Sequence, residues 1–187
     1  MDKKEIILGA ALRLFVENGF HGTATAKISQ EANVATGTLF NYFKTKDELI
    51  IAIYHSILKE MDDFIIDSLV SHSISKESFR SLFVNNLSWC LENPIHYQYL
   101  QLFNHSPYFK VVSQTIINQE EHPLFVLIKN GIDLVLIKQM PVLFIHSLFS
   151  AQINGLYYYI ISNDLGKNEQ SELIQEGFEM FWKMIVD

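Results

Sequence analysis

A stretch of small, hydrogen-bonding and basic side chains lies between Asn33 and Leu49, in the sequence NVATGTLFNYFKTKDEL. Hydroxyl, amide and phenol groups form hydrogen bonds, and lysine ammonium groups donate them with a positive charge. The residues in question are Thr36, Gly37, Thr38, Asn41, Tyr42, Lys44 and Lys46. Because the first of these residues are small, a helix here would let an anionic partner approach its backbone closely.

The apolar residues of the same stretch define the opposite side of that helix. Leu39, Phe40 and Phe43 have the spacing of one buried helical face. A second short helix is expected before it, with Thr23 as its N-terminal cap. Asn33 falls between the two helices, and asparagine tolerates the positive φ that a tight turn requires. Two short helices joined in this way predict a helix-turn-helix.

A recognition helix enters the major groove of DNA with its first residues near the base edges. In this sequence Asn41 has an amide that can pair with adenine, and Tyr42 can donate a hydrogen bond to a phosphate. The local charge has the matching sign, since residues 23–46 contain three lysines and one acid although the whole chain has a formal charge of −7. Duplex DNA is therefore the expected partner. The residues expected to contact it are Thr23, Lys27, Thr36, Gly37, Thr38, Asn41, Tyr42, Lys44 and Lys46.

The rest of the chain has the composition of a helical protein. Of its 187 residues, 49% are hydrophobic and 19% are charged, so a large core is available. Long stretches follow helical spacing, and only four prolines interrupt them. The single cysteine, Cys90, is expected to be a small buried side chain. These features predict an all-α protein.

The ordered residues around the helix-turn-helix resemble the TetR family of transcriptional regulators over about residues 3–49. The matching positions are Thr23, Ile28, Ala32, Val34, Gly37, Thr38, Leu39, Phe40, Phe43, Lys46, Asp47 and Leu49. The resemblance implies a three-helix DNA-binding domain over residues 1–48, followed by a helical ligand-binding and dimerisation domain over residues 49–187. A cytoplasmic regulator without a cofactor is expected, and we expect a repressor that a small apolar or aromatic effector releases from its operator.

The chain departs from the family pattern at the turn and along the recognition helix. Ala35 stands where a serine often caps the helix, a change that costs about 0.5–2 kcal/mol of stability. Asn33 replaces a frequent glycine, Asn41 a frequent aromatic residue and Tyr42 a frequent histidine. Thr36 stands where a basic residue is frequent. These differences preserve the expected fold and bear on which bases are read.

The family resemblance also implies a ligand cavity in the second domain. Aromatic residues are frequent between Phe83 and Phe125, and most of them are expected in the core. Their abundance favours a mostly apolar ligand with one or two polar contacts. The residues proposed to line the cavity are Trp89, Phe103, His105, His122, Phe125 and Gln152.

An uncharged stretch runs from Gln139 to Asn163 and carries two apolar faces at helical spacing. A helix that is apolar on two faces can pack on its own core and also on a partner molecule. Together with the final helix, it would form a four-helix bundle between two copies of the chain. A homodimer is therefore expected. The expected interface residues are Ser147, Ala151, Gly155, Tyr158, Phe178, Phe181 and Ile185.

Two other classes of protein are alternatives. The uncharged stretch is long enough for a helical membrane-associated protein, but His146 and Gln152 place polar groups near its middle, so no membrane partner is expected. A small-molecule-processing enzyme is the second alternative, although the common nucleophile, zinc-protease, phosphate-loop and dinucleotide signatures are absent from the sequence. The side chains of Glu120, Glu121 and His122 would point in different directions on a helix, so no metal site is expected. Because the catalytic signatures are absent, enzymatic activity is not expected either.

Overall fold

The computed structural model describes residues 2–67, 73–116 and 122–186. In chain order the helices are α1 (Lys3–Gly22), α2 (Thr25–Glu31), α3 (Thr36–Tyr42), α4 (Lys46–Asp67), α5 (Lys76–Glu92), α6 (Pro94–Asn104), α7 (Pro107–Ile116), α8 (Pro123–Asp133), α9 (Val142–Ser162) and α10 (Lys167–Ile185). No strand occurs within the described ranges, which confirms the all-α prediction. Among these helices, none combines the length and the apolar character needed to cross a membrane.

Several helix ends have a local chemical cause. Asp2 caps α1, because its carboxylate accepts a hydrogen bond from the backbone N–H of Lys4 at 3.4 Å. α1 kinks at Gly19, whose φ of 71° glycine adopts without the steric cost of a side chain. Proline is the first residue of α6, α7 and α8, a position where its missing N–H leaves no helical hydrogen bond unmade.

Contacts divide the chain into two compact units, each made of two segments. The first unit comprises Met1–Glu60 and Asn93–Asn118, and the second comprises Met61–Glu92 and Gln119–Asp187. The first part of α4 therefore belongs to the first unit and its last part to the second. The predicted boundary between residues 48 and 49 separates a DNA-binding part from a ligand-binding part. Division into compact units does not test a boundary of this kind, so it stays a prediction.

Aromatic side chains dominate the core of the first unit. Tyr54 and Phe103 stack with their ring centroids 3.9 Å apart, and Phe20 packs edge-on against Tyr99 at 5.6 Å. Tyr99 is fully buried, and its hydroxyl donates a hydrogen bond to the backbone carbonyl of Ile50 at 2.8 Å. This bond satisfies the buried hydroxyl and ties α6 to the first part of α4.

The second unit has an aromatic core formed by α5, α9 and α10. Phe83 is fully buried, and three other buried rings lie 5.5, 5.7 and 5.8 Å from its own, those of Phe149, Phe178 and Phe181. α9 and α10 approach closely at Gly177, where an added Cβ would lie 2.5 Å from the side chain of Leu156. Cys90 is buried in the same unit, as expected from the sequence.

Candidate nucleic-acid interface

The predicted helix-turn-helix is present in the first unit. α2 and α3 are joined by residues 32–35, and Asn33 has the expected positive φ, at 51°. The backbone N–H of Asn33 donates to the Gln30 carbonyl, and that of Val34 donates to the Ser29 carbonyl, both at 3.0 Å. These two bonds close the turn and fix the direction in which α3 leaves α2.

One side of α3 anchors it to the core of the first unit. Leu39 and Phe43 are buried, with 0% and 2% of their surfaces exposed, as their spacing predicted. Phe40 is 37% exposed, so its expected place in the buried face is wrong. Successive residues on a helix turn by about 100°, which carries the Phe40 side chain away from the core that Leu39 fills.

The other side of α3 is open. A Cβ at Gly37 would meet no atom within 4 Å, so the space beside the helix backbone is free. Thr38 is half-buried at the edge of this side. Ala35 gives no side-chain hydrogen bond to the start of α3, as its apolar side chain requires. The exposed members of the predicted contact set on α3 are Thr36, Gly37, Asn41 and Tyr42.

Lysines lie on both sides of α3 in the chain. Lys27 on α2 and Lys44 after α3 are exposed, whereas Lys46 at the start of α4 is half-buried. The ammonium nitrogen of Lys46 lies 6.0 Å from the ring centroid of Phe15. The exposed side of α3 is thus accompanied by positive charge, which attracts an anionic partner.

Hydrogen bonds at the start of α4 hold the segment that follows α3. The backbone N–H of Glu48 donates to Thr45 Oγ1 at 3.1 Å, and the backbone N–H of Lys44 donates to Glu48 Oε2 at 2.7 Å. Tyr108 on α7 donates a hydrogen bond to Asp47 Oδ1 at 2.7 Å. These contacts fix where the backbone of Lys44 lies relative to α3 and α4.

Thr23 has a different role from the one predicted. It is fully buried, and its hydroxyl lies 3.0 Å from the Leu14 carbonyl oxygen and 2.8 Å from that of Gly19. α2 instead begins after Ala24, which occupies the N-cap position. The predictions that Thr23 caps α2 and contacts DNA are therefore wrong, because its hydroxyl is used to tie together the end of α1.

Replacing Thr23 by valine keeps the shape of the side chain and removes this hydroxyl. We expect the free energy of unfolding to fall by about 1–3 kcal/mol, because the Leu14 and Gly19 carbonyl oxygens lose the Thr23 hydroxyl as a donor. Thermal denaturation followed by circular dichroism measures the change. The matched variant Thr36→Val, at an exposed position, should stay within about 0.5 kcal/mol of wild type. Equal losses in the two variants would contradict the role assigned to Thr23.

The residues predicted to line a ligand cavity fall in both units. Phe103 and His105 belong to the first unit. Phe103 is a core residue, since it is fully buried and stacks on Tyr54. His105 is exposed, and its Nδ1 lies 2.7 Å from the Gln101 carbonyl oxygen. That these two side chains line a ligand cavity stays a prediction.

The other four candidates belong to the second unit. Trp89 is 1% exposed and fills the core. Gln152 is half-buried and donates a hydrogen bond to the Gly177 carbonyl at 3.4 Å. His122 and Phe125 are neighbours, with ring centroids 5.5 Å apart, and they remain candidates for ligand contact.

Two residues that the sequence did not single out lie beside this pair. Asp62 Oδ1 on α4 is 3.3 Å from His122 Nε2, at the start of α8. His146 on α9 stacks on Phe125, with ring centroids 4.8 Å apart and an angle of 5° between the planes. The sequence signal that could have indicated Asp62 is its position directly after Met61, a residue of the apolar side of α4. We refer to Asp62, His122, Phe125 and His146 as the Asp62 cluster.

Burial sets the protonation states in the Asp62 cluster. It raises the pKa of Asp62 to about 6, and repulsion from Asp63 adds to the effect. Burial lowers the pKa of His122 to about 4, with a further contribution from His146, whose own pKa burial also lowers. At pH 7 both imidazole rings are therefore neutral, while Asp62 is mainly ionised.

These shifts have opposite effects on stability. The raised pKa of Asp62 stabilises the fold at low pH, and that contribution is lost as the pH rises to about 6. The lowered pKa of His122 stabilises the fold above pH 6.5, and that contribution is lost as the pH falls to about 4.

The substitution Asp62→Asn removes the contribution of Asp62 and leaves that of His122. Between pH 6.5 and 4, this variant should lose about 1–2 kcal/mol more stability than wild type in urea denaturation. Parallel profiles would contradict these assignments.

The two acids that directly precede His122 were not expected to hold a metal ion. Glu120 and Glu121 lie outside the described residues. Within the described part of the chain, no group of three or more His, Cys, Asp or Glu side chains is placed to hold a metal ion.

α9 presents an exposed face that carries no charged residue. Phe144 is 51% exposed and Tyr158 is 48% exposed. The predicted interface residues between them are small and also exposed, namely Ser147, Ala151 and Gly155. Four-residue spacing places these side chains on one side of the helix, so the face is continuous.

The α10 part of the predicted interface lies elsewhere. Phe178, Phe181 and Ile185 each have 0% of their surface exposed and fill the core of the second unit. Their predicted interface role is therefore wrong, because their apolar surface is already buried within the subunit. Met180 and Met184 are the apolar side chains that α10 exposes, at 60% and 39%.

Comparisons with known proteins agree with this architecture. Residues 7–53 match the model for bacterial regulatory proteins of the tetR family. An uncharacterised HTH-type transcriptional regulator of Haemophilus influenzae is 30% identical over 117 residues, which cover 63% of this chain and 63% of that protein. The match to this curated relative thus spans less than two thirds of its length.

Two solved structures extend the likeness over nearly the full chain. A protein described as a tetR family transcription regulator, from Shewanella sp. PV-4, has a TM-score of 0.92 and 29% identity, with 100% of both chains covered. The regulator FadR from Bacillus subtilis, solved in complex with stearoyl-CoA, has a TM-score of 0.75 and 20% identity, with 95% of this chain and 96% of that chain covered. The second likeness concerns the fold alone. Together with the helix-turn-helix over α2 and α3, these matches show a DNA-binding domain of the tetR family over residues 7–53, in a chain with the fold of a tetR family transcription regulator.

Proposed function

We propose that the chain is a DNA-binding repressor in the cytoplasm whose affinity for its operator is lowered by a small apolar or aromatic effector. The observation that carries the DNA-binding part is the open side of α3. Apart from Phe40, its residues are small or hydrogen-bonding, and lysines precede and follow it in the chain. This combination suits a helix that enters the major groove beside charged phosphates.

The proposed DNA contacts of α3 are of two kinds, those to base edges and those to phosphates. Thr36, Gly37 and Thr38 form the first turn, so their side chains and backbone reach the base edges. Asn41 is exposed one turn later, and its amide suits a paired hydrogen bond to adenine. Tyr42 is 40% exposed and suits a phosphate oxygen. Sequence preference therefore comes from the α3 side chains.

The lysines supply affinity without sequence preference. Lys27 and Lys44 are exposed, and Lys46 keeps part of its surface open. An ammonium group that neutralises a phosphate releases a condensed counterion, so each such contact adds to the salt dependence of binding.

Lys44→Ala should weaken binding to operator and unrelated duplexes by a similar factor. We expect the slope of log affinity against log salt to flatten by about one unit, because one phosphate contact is lost. Fluorescence anisotropy with labelled duplexes at several salt concentrations measures both quantities. Lys167→Ala, at an exposed position on α10, is the matched control and should leave the slope unchanged. An unchanged slope in Lys44→Ala would contradict the proposed surface.

The exposed face of α9 supports a homodimer. It is uncharged from Leu143 to Ser162, and its centre at Ala151 and Gly155 is small enough for another helix to pack closely. Met180 and Met184 provide exposed apolar surface on α10. Two copies of α9 and α10 would form a four-helix bundle across a two-fold axis. Such a dimer reads two half-sites of a near-palindromic operator.

We place the effector site in the second unit, where the Asp62 cluster lies. The structural neighbour FadR was solved with stearoyl-CoA, a ligand with a long apolar chain, which supports an apolar effector body for this fold. An effector lowers operator affinity only if it binds one arrangement of the protein better than another. A hundredfold preference corresponds to about 2.7 kcal/mol of coupling. We propose α4 as the connecting element, because it contributes to both units.

A further inference from the structure

The Asp62 cluster contains a buried oxygen that lacks a hydrogen-bond donor. Within the described residues, Asp62 Oδ1 is inaccessible to solvent and has no hydrogen-bond partner. His122 Nε2 lies 3.3 Å away, which is ion-pair distance, but the contact lacks the geometry of a hydrogen bond. Buried carboxylate oxygens are normally satisfied, because leaving one without a donor costs free energy.

The two imidazole rings do not supply the missing charge. His122 Nδ1 accepts a hydrogen bond from the backbone N–H of Leu124 at 3.3 Å, so its proton is on Nε2 and the ring is neutral. Burial lowers the pKa of His146 as well, so this ring is also neutral at pH 7. The cluster therefore holds a carboxylate beside two neutral rings.

The site is not sealed from ligands. The side chain of Asp62 is 24% exposed and that of His122 is 12% exposed, so a small polar group can reach the edge of the cluster. Beside them, the rings of Phe125 and His146 stack face to face, and both side chains are half-buried, so part of their surface is open. An aromatic ring face of this kind attracts both apolar groups and cations.

We propose that Asp62, His122 and His146 form the polar end of the effector site, and that the effector is an organic cation with a protonated amine on an apolar or aromatic body. This inference rests on the proposed function, since it names the ligand class of the regulator. The ammonium group donates a charge-assisted hydrogen bond to the Asp62 carboxylate at its exposed edge and balances its charge. The apolar body lies against the Phe125–His146 stack.

An anionic ligand group does not suit this position. Its charge would face the Asp62 carboxylate without a cation from either histidine, and like charges at short distance repel. A neutral alcohol can donate one hydrogen bond, but it leaves the charge of the carboxylate unbalanced. The cluster therefore discriminates by charge, which makes the proposal testable with ligands that share one body.

The test uses the full chain and three series of probes with a phenyl ring and two to six methylene groups. The series end in an amine, an alcohol or a carboxylate, and binding is measured by isothermal titration calorimetry at pH 7.5. We expect at least one amine to bind about tenfold or more tightly than the alcohol and carboxylate of the same length. The proposal would be overturned if the amine, the alcohol and the carboxylate of each chain length bound equally, or if no amine bound at millimolar concentration.

Two variants assign the preference to the carboxylate. Asp62→Asn keeps the size of the side chain and should reduce amine affinity about tenfold or more, with alcohol affinity unchanged. Asp133→Asn makes the same chemical change at an exposed position and should bind amines as wild type does. Circular dichroism verifies that both variants are folded. If Asp62→Asn bound amines with wild-type affinity, the assignment to the carboxylate would be contradicted. If this variant does not fold, the comparison of the three probe series on the wild-type protein decides whether the site prefers a cation.

Operator binding measured on the same preparations separates this inference from the proposed function. If amines bind as expected but no duplex is retained, the effector class stands and the repressor function fails. If the protein binds its operator and only stearoyl-CoA releases it, the repressor function stands and the organic-cation effector is overturned.

Discussion

A glutamate introduced at Ala151 should convert the proposed dimer into monomers and weaken operator binding by about 10²–10⁴-fold. Ala151 lies at the centre of the exposed face of α9, between Phe144 and Tyr158. In a symmetric dimer each copy would bury its new carboxylate near that of the other copy, without a counter-ion. The isolated subunit accommodates the change, because residue 151 is exposed there. Sedimentation equilibrium measures the association, and anisotropy measures operator affinity.

Ser171→Glu is the matched control for this prediction. Ser171 is exposed on α10 and lies about 180° around that helix from Met180, at 100° per residue. The same negative charge is therefore added away from the proposed interface. This variant should remain dimeric and bind its operator with wild-type affinity. A dimeric Ala151→Glu variant, or a monomeric wild type, would contradict the proposed bundle.

Phe83→Ala should reduce the free energy of unfolding by about 3–5 kcal/mol, the largest loss of stability that we expect from a single truncation. Phe83 is fully buried, and three buried aromatic rings surround it in the second unit. Removing its ring deletes apolar contacts and leaves a cavity that these large neighbours cannot fill without leaving their own positions. Urea denaturation at fixed protein concentration gives the change.

Val126→Ala provides the comparison at the surface of the same unit. Val126 is 39% exposed on α8, so its truncation should change the free energy of unfolding by about 0.5 kcal/mol or less. A Phe83→Ala variant that was no less stable than Val126→Ala would show that the aromatic core does not hold this unit together.

The parts of the fold that follow from neighbouring residues were predictable from the sequence. The turn between α2 and α3 depends on Asn33, whose type and spacing already indicate a positive φ. Leu39 and Phe43 are buried because they share one side of a single short helix. The open side of α3 follows from the same periodicity. Each of these properties is decided within about ten residues of chain.

Properties that depend on distant segments were not predictable in this way. Thr23 has the residue type of a helix cap, but packing places its hydroxyl against the carbonyl oxygens of α1. Phe178 and Phe181 belong to an amphipathic pattern that fits either a subunit core or a dimer interface. Both rings pack against Phe83, which places them in the core of the second unit. The Asp62 cluster joins α4, α8 and α9, so no local pattern could assemble it.

The central claim is that two copies of α3 read DNA sequence, and selection of DNA fragments tests it most directly. Random duplexes retained by the purified protein are sequenced, in parallel for wild type and Asn41→Ala. We predict a near-palindromic site with half-site centres about 34–36 Å apart, or a multiple of this distance, and altered base preference at one position of each half-site in the variant. Retention of duplexes without any sequence enrichment, or an identical site for both proteins despite the lost amide, would contradict the claim.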